Sequence, residues 1–320
     1  MLDVFFTVDV EVWCDGWHNI DEKFPNAFRK YIYGPTSKGN YGLPYKLNIL
    51  KDHGLTGVFF IEPLFSARFG QAPLAEIVGL VLENAQEAQL HLHTEWVDES
   101  KDPILKNVRT KRKHLRLYSM EEQATLISAG AKLLMQAGVK NINAFRAGSF
   151  AFNRDTLRAL AANRIPFDSS YNASLFGPES GVMPGKILVE PVECGGVYEY
   201  PMTVFKDGTK SLRHAQLTSC SYQEIERLLW QALEAGRRSF VILSHSSELL
   251  NQAKTRPDDV VVKRFQRLCT FLDQNRDSFN VRGFQGLKPQ VVQRQPVPLA
   301  SPIWRTGARI VEQAYRRRFQ

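Results

Sequence analysis

The chain has 320 residues, of which 43% are hydrophobic and 23% charged. That length and mixture allow a large buried core and exclude a disordered or fibrous chain. The net charge of +8 is concentrated in two clusters, residues 106–116 (KNVRTKRKHLR) and Arg316 to Arg318. Such clusters attract anionic surfaces or form a solvated face with a loose tail. No aromatic residues interleave the first in a stacking pattern, so no specific nucleic-acid recognition is expected. No apolar run reaches the roughly 18 residues of a membrane span. The N-terminus has neither a basic region nor a small-residue cleavage site, which argues against a signal peptide. Cys14, Cys194, Cys220 and Cys269 form no CxxC pair and read as reduced thiols. A cytoplasmic protein is expected.

Strands and helices alternate along most of the chain, the pattern of βαβ units and a parallel sheet. LDVFFTVDVE is the first strand. An insertion rich in aromatics and glycine follows from Val12 to about Tyr41, then a helix from Leu43 to Asp52 that His53-Gly54 ends. LTGVFFIEPL is a buried strand, LAEIVGLVLENA its helix, and EAQLHLH the third strand. After the basic stretch comes a long helix with Ser119 as N-cap and Glu122 completing a capping box. The strand NAFRAGSF, a helix opened by Asn153 and the strand IPFDSSY follow. Residues 175–216 read as irregular hairpins, SYQEIERLLWQALEAG as a capped helix and SFVILSHSS as a strand. VVKRFQRLCTFLDQN and FNVRGF supply the closing helix and strand. The expected organisation is a barrel over residues 1–287 and a tail over residues 288–320, where a Pro/Gln-rich linker precedes a basic amphipathic helix. That helix either packs back on the barrel or touches a membrane or a partner.

Parallel α/β folds place their chemistry at the carboxyl ends of the strands, and several strands here end in polar residues. Asp9 and Glu11 alternate along the first strand and so share a face. Two adjacent carboxylates repel and need a cation or a basic partner to stay ionised. His91 and His93 share a face at the end of the third strand, an arrangement that suits two imidazoles on one metal ion. Glu95 follows on the same face, as a reserve ligand or a partner of the ligands. Arg146, inside an apolar strand, needs a carboxylate to hold, either for catalysis or as a structural ion pair. Asp168 ends its strand in FDSSYN, which reads equally as a turn or as a functional position. His245 ends a strongly apolar strand, where an imidazole suits general acid or base work.

Taken in order, TVDVE, GLTGVFFIEP, LHLHTEW, FRAG, FDSSY and LSH resemble the motifs of the polysaccharide deacetylases, the NodB-homology family known as carbohydrate esterase family 4. The likeness runs from about residue 3 to residue 285. It implies an α/β fold, a distorted (β/α)7-type barrel of parallel strands, binding one divalent metal ion, often zinc. In that scheme Asp9 is the general base, and Glu11, His91 and a second histidine hold the metal. Arg146 orients Asp9, His245 is the general acid and Asp168 tunes His245. Two departures matter. The second acid is Glu where the common pattern has Asp, and the histidines read HxH where the common motif is HxxxH. The third ligand is therefore His93 or Glu95.

The expected activity is hydrolysis of an N-acyl group, acetyl first, on a sugar or polysaccharide. Alternatives are a deformylase or amidase acting on a lipid-linked sugar or a small amide, and an inactive carbohydrate-binding barrel. The aromatics Trp13, Trp17, Phe24, Phe28, Tyr31, Tyr33 and Tyr41 stack on sugar rings or pack as a loop. Peripheral membrane contact is expected, if anywhere, from the C-terminal helix.

Overall fold

A computed structural model describes residues 1–106 and 110–319. In chain order the elements are β1 (Leu2–Val10), α1 (Ile20–Phe28), β2 (Pro35–Thr36), β3 (Gly39–Asn40), α2 (Leu43–Asp52), β4 (Gly57–Ile61), α3 (Ser66–Phe69), α4 (Gln71–Glu83) and β5 (Glu87–Leu92). They continue with α5 (Met120–Gln136), β6 (Ala144–Ala147), α6 (Arg154–Ala162), β7 (Phe167–Asp168), β8 (Val192–Cys194), β9 (Val197–Glu199), β10 (Val204–Lys206) and β11 (Leu212–His214). Last come α7 (Tyr222–Glu234), β12 (Ser239–His245), α8 (Asp259–Gln274), β13 (Phe279–Val281), β14 (Leu299–Ala300) and α9 (Ile303–Phe319). By contacts the chain divides into two units, one of residues 1–57, 203–283 and 297–320, the other of residues 58–202 and 284–296.

In the first unit β1 runs parallel to β12, in register from Asp3 opposite Ser239 to Asp9 opposite His245. The start of β1 also pairs with β13, Leu2 opposite Phe279. All of β1 except Asp3 is buried. This is why its sequence is an almost unbroken apolar run instead of an alternation. Phe6 packs against Phe265 of α8, and Trp230 of α7 meets Phe271 and Phe279 edge-on. The polar pair at the end of the register, Asp9 and His245, is thereby delivered to one sheet edge.

In the second unit β4, β5, β6 and β7 are successive parallel neighbours, and β9 joins β7 before turning back into antiparallel β8. His91 stands opposite Arg146, and Asp168 stands opposite both Phe145 and Glu199. Phe60, Phe167 and Tyr200 gather around Phe284. The capping boxes at Ser119–Glu122, Asn153–Thr156 and Ser221–Glu224 form. The expected strand IPFDSSY is only two residues long. The Ser169 amide still donates to the Phe145 carbonyl at 2.9 Å, but at Ser170 the side chain takes over: its Oγ accepts from the Ala147 amide at 2.9 Å and donates to Asp168 at 2.5 Å.

The C-terminal segment is held down. In residues 288–296 Gln295 accepts from the amides of Val189 and Glu190, and the Val292 amide donates to Pro191. Further on, β14 pairs with β10 in the first unit. There α9 lies on its unit through its polar side. Arg309 is buried, 3.1 Å from Asp207 and 3.7 Å from Glu224, while Glu312 meets Arg264 at 2.8 Å and Arg316 meets Asp258 at 2.7 Å. Ile303, Trp304, Ile310, Val311 and Tyr315 are exposed instead. Of the expected alternatives for this helix, the one in which it packs back on the fold holds, with its guanidinium groups paired to buried acids. Of the first basic cluster, residues 107–109 lie outside the described residues, as does the side chain of Arg317. Lys111, Arg112 and Arg116 pair with Asp98, Glu122 and Glu179. Among the described residues no helix is long and apolar enough to cross a membrane.

Candidate active site

At the carboxyl ends of β1 and β12, Asp9, Glu11 and His245 each offer a ligand atom, all within 4.8 Å of one another. The carboxylate of Glu11 accepts from the Trp13 indole at 2.7 Å, just beyond the strand. These residues line a cavity of about 330 Å³ together with Trp13, Tyr31 and Glu248. The aromatic insertion divides accordingly. Trp13 and Tyr31 face the cavity, and Trp17 supports Trp13 edge-on at 6.2 Å. Phe24 and Phe28 are buried against each other.

His245 has a partner that the sequence did not single out. Its Nδ1 lies 2.9 Å from Oε1 of Glu248. The same carboxylate accepts from Gln216, from Thr218 at 3.2 Å and from Ser244 at 3.2 Å, and Ser244 in turn accepts from the buried Lys46 ammonium at 2.8 Å. Burial works against a charge on His245, but Glu248, with Glu11 and Asp9, outweighs it and raises the pKa to about 9. Burial also opposes the Glu248 carboxylate, yet His245 and Lys46 hold it below the usual range. Lys46 itself is pushed down to about 8, mainly by burial. The net direction favours the protonated imidazole at neutral pH.

In the second unit the two histidines at the end of β5 stand edge to face, with ring centroids 4.8 Å apart. Nδ1 of His91 lies 2.8 Å from the Arg146 carbonyl, which places the proton on Nδ1 and the lone pair on Nε2. Nδ1 of His93 lies 3.2 Å from Glu95. Both rings are buried, and Gly148 cradles the second: a Cβ there would sit 2.7 Å from His93 Nδ1 and 2.7 Å from the Leu92 carbonyl. Two imidazoles, each held through Nδ1, have the donor chemistry of a site for a divalent ion of intermediate softness. Glu95 already serves His93 as a hydrogen-bond partner, which speaks for His93 as the ligand.

Arg146 is fully buried, donates to the Ser169 carbonyl at 3.0 Å and to its hydroxyl at 3.1 Å, and stacks over Phe60 at 4.3 Å. Asp168 is also fully buried and faces a second carboxyl, Glu199, whose position in a Val/Gly-rich hairpin gave no sequence signal. Burial raises Asp168 to about 6 despite the help of Glu199 and Ser170. Burial and the Asp168 charge raise Glu199 well above the carboxylate range. The pair holds a proton near neutrality.

No protein-family model matches the chain, and no curated protein does. Solved structures do. A Mycobacterium smegmatis crystal structure bearing the polysaccharide deacetylase name superposes with a TM-score of 0.56 at 16% identity, over 92% of this chain and 95% of that one. The chain has the polysaccharide deacetylase fold. It is the distorted (β/α)7-type barrel of parallel strands that the strand-end motifs pointed to. Looser likenesses are to a family 4 carbohydrate esterase from Streptomyces lividans in complex with acetate (13% identity, 86% and 89% covered, TM-score 0.42) and to a CE4 family pseudoenzyme from Bacillus anthracis (12% identity, 83% and 60% covered, TM-score 0.38). These two fix nothing further, and a fold by itself assigns no activity.

Proposed function

We propose that this chain is a metal-dependent hydrolase removing an N-acyl group, acetyl first, from a sugar or polysaccharide. The observation that carries the reading is the convergence of Asp9, Glu11 and a charged His245 on one cavity at a strand-end edge. Glu11, His91 and His93 would hold one divalent ion, zinc by preference for its N/O donors, with Glu95 behind His93. The ion would supply Lewis-acid polarisation of the acyl carbonyl. Asp9 takes a proton from the attacking water, and Arg146 keeps Asp9 ionised and turned, as the family resemblance implies. An amide nitrogen leaves only when protonated, and His245, kept charged by Glu248, gives it that proton. Trp13 and Tyr31 supply flat faces for a sugar ring. We place the protein in the cytoplasm.

Acetate release from N-acetylated sugars tests the reading, with His245→Ala measured on an amide and on an ester with a good leaving group. The ester needs no acid and should retain far more activity. Equal losses on both would remove His245 from the role.

A second reading, a lipid-carried acyl sugar as substrate, is favoured by α9. Its outward Ile303, Trp304, Ile310, Val311 and Tyr315, beside Arg305, have the composition of helices that lie in an anionic membrane interface. Co-sedimentation with vesicles containing anionic lipid, lost in Trp304→Glu and absent with neutral vesicles, would support it. Equal recovery with and without vesicles would remove it.

A further inference from the structure

The cavity holding Asp9 and His245 adjoins a second of about 430 Å³, and the two share Thr218, Asn251, Gln252 and Arg316. The second is walled by hydroxyls and amides, by Arg213 and Arg316, and by one carboxylate, Asp258. Asp258 is already engaged: it caps α8 through the Val261 amide at 3.1 Å and holds Arg316 at 2.7 Å. Arg213 is different. Among the described residues it has no acid within ion-pair distance; its guanidinium donates only to the Ser219 carbonyl, at 3.4 Å, and its Nε is buried without a hydrogen-bond partner. In the cavity of Asp9 and His245, Lys254 stands over the Tyr31 ring at 4.7 Å, while Asp15, the acid whose charge acts on it, is taken by Lys30 at 2.9 Å and by the Tyr31 hydroxyl at 3.1 Å.

Asp9, Glu11 and Glu248 make the catalytic end of the cleft acidic, which suits a neutral acyl sugar and repels an anionic one. Uncommitted cations beside that end reverse the balance for a ligand long enough to reach both. A guanidinium fork flanked by hydroxyl and amide donors is the chemistry that grips phosphate oxygens. We propose that this cleft binds a phosphate group carried by the acylated sugar, held by Arg213, while the acyl group lies at Asp9 and His245 and Lys254 adds a second positive charge in that cavity. The proposal rests on the hydrolase reading for its substrate, but the anion site can be tested without turnover.

Calorimetry with inorganic pyrophosphate on the full chain should show binding that survives His91→Ala and weakens about 10- to 100-fold in Arg213→Gln, the loss expected for one charged hydrogen-bonding partner. In kinetics, Arg213→Gln and Lys254→Gln should raise KM for an N-acetyl sugar phosphate by a similar factor and leave a neutral N-acetyl oligosaccharide unchanged. A phosphosugar on a polyprenyl carrier in vesicles, run beside the soluble phosphosugar, identifies which source of phosphate the cleft takes. Pyrophosphate binding that Arg213→Gln does not alter, or that His91→Ala abolishes, would overturn the anion site. Equal losses on charged and neutral substrates would do the same. Failure to release acyl groups from any substrate, with pyrophosphate binding intact, would overturn only the hydrolase reading.

Discussion

Oε1 of Glu248 lies 2.9 Å from Nδ1 of His245, three residues earlier in the chain, and this contact sets the charge of the strand-end imidazole. An acid must be protonated to work, so activity should fall as pH rises through the His245 pKa of about 9. Glu248→Gln keeps a hydrogen-bond partner and removes the charge. The basic limb of kcat/KM should then move down by at least about one unit, towards the ordinary histidine value. Asp168→Asn, the change that the family pattern singles out, should leave that limb in place, because Asp168 shares its proton with Glu199. A limb that follows Asp168 and ignores Glu248 would reverse the assignment.

His91 and Glu95 should behave differently on metal analysis. His91→Ala removes a proposed ligand nitrogen and should abolish tight binding. Glu95→Gln should retain the ion with affinity lowered about 10- to 100-fold, as for residues that orient a ligand. Dialysis against a chelator series followed by elemental analysis reads both. Metal loss in Glu95→Gln as complete as in His93→Ala would make Glu95 the third ligand.

Gly148→Ala should act on His93 alone among the site residues of its unit. Its Cβ would meet backbone as well as the ring, so the clash cannot be relieved by a rotamer change. We expect a stability loss of about 1–3 kcal/mol, as for other forced overpacking, together with weaker metal binding. Thermal unfolding with and without added metal separates the two effects.

The Asp168–Glu199 pair predicts an unusual pH slope. Both folded pKa values lie above those of the unfolded chain, so the folded state binds more protons near pH 5 to 6 than the unfolded one. This contribution to stability is present in mild acid and is lost as pH rises through about 6. Glu199→Gln should flatten the slope and raise stability at pH 8. Chemical unfolding at several pH values would show it, and a parallel slope in the variant would refute the shared proton.

The succession of strands along the chain and their polar ends were legible because a strand buried on both faces is almost wholly apolar. A terminal Asp, His or Arg in such a run stands out, as in TVDVE or VILSH. What the polar groups bond to was less legible. Glu248 sits in SHSSEL with nothing to separate it from a surface acid until the turn after β12 brings it back onto His245. Glu199 reaches Asp168 only through the register of a short hairpin strand. The brevity of β7 also escaped the sequence, since it depends on serine side chains finding the partners that the ladder would have used. The spacing of apolar residues in α9 showed a helix and its two sides but not which side would be turned inward, a choice made by Asp207, Glu224 and Asp258 far away in sequence.

That choice bears on how the protein can be handled. Cutting the chain at residue 302 to trim a basic, apolar end would strip Arg309 from Asp207 and Glu224 and Arg316 from Asp258, stranding three largely buried acids. It would also take away Arg316, one of the four residues that line both cavities. Residues 303–319 therefore serve as a keystone, and a fusion partner is safer at the other end of the polypeptide.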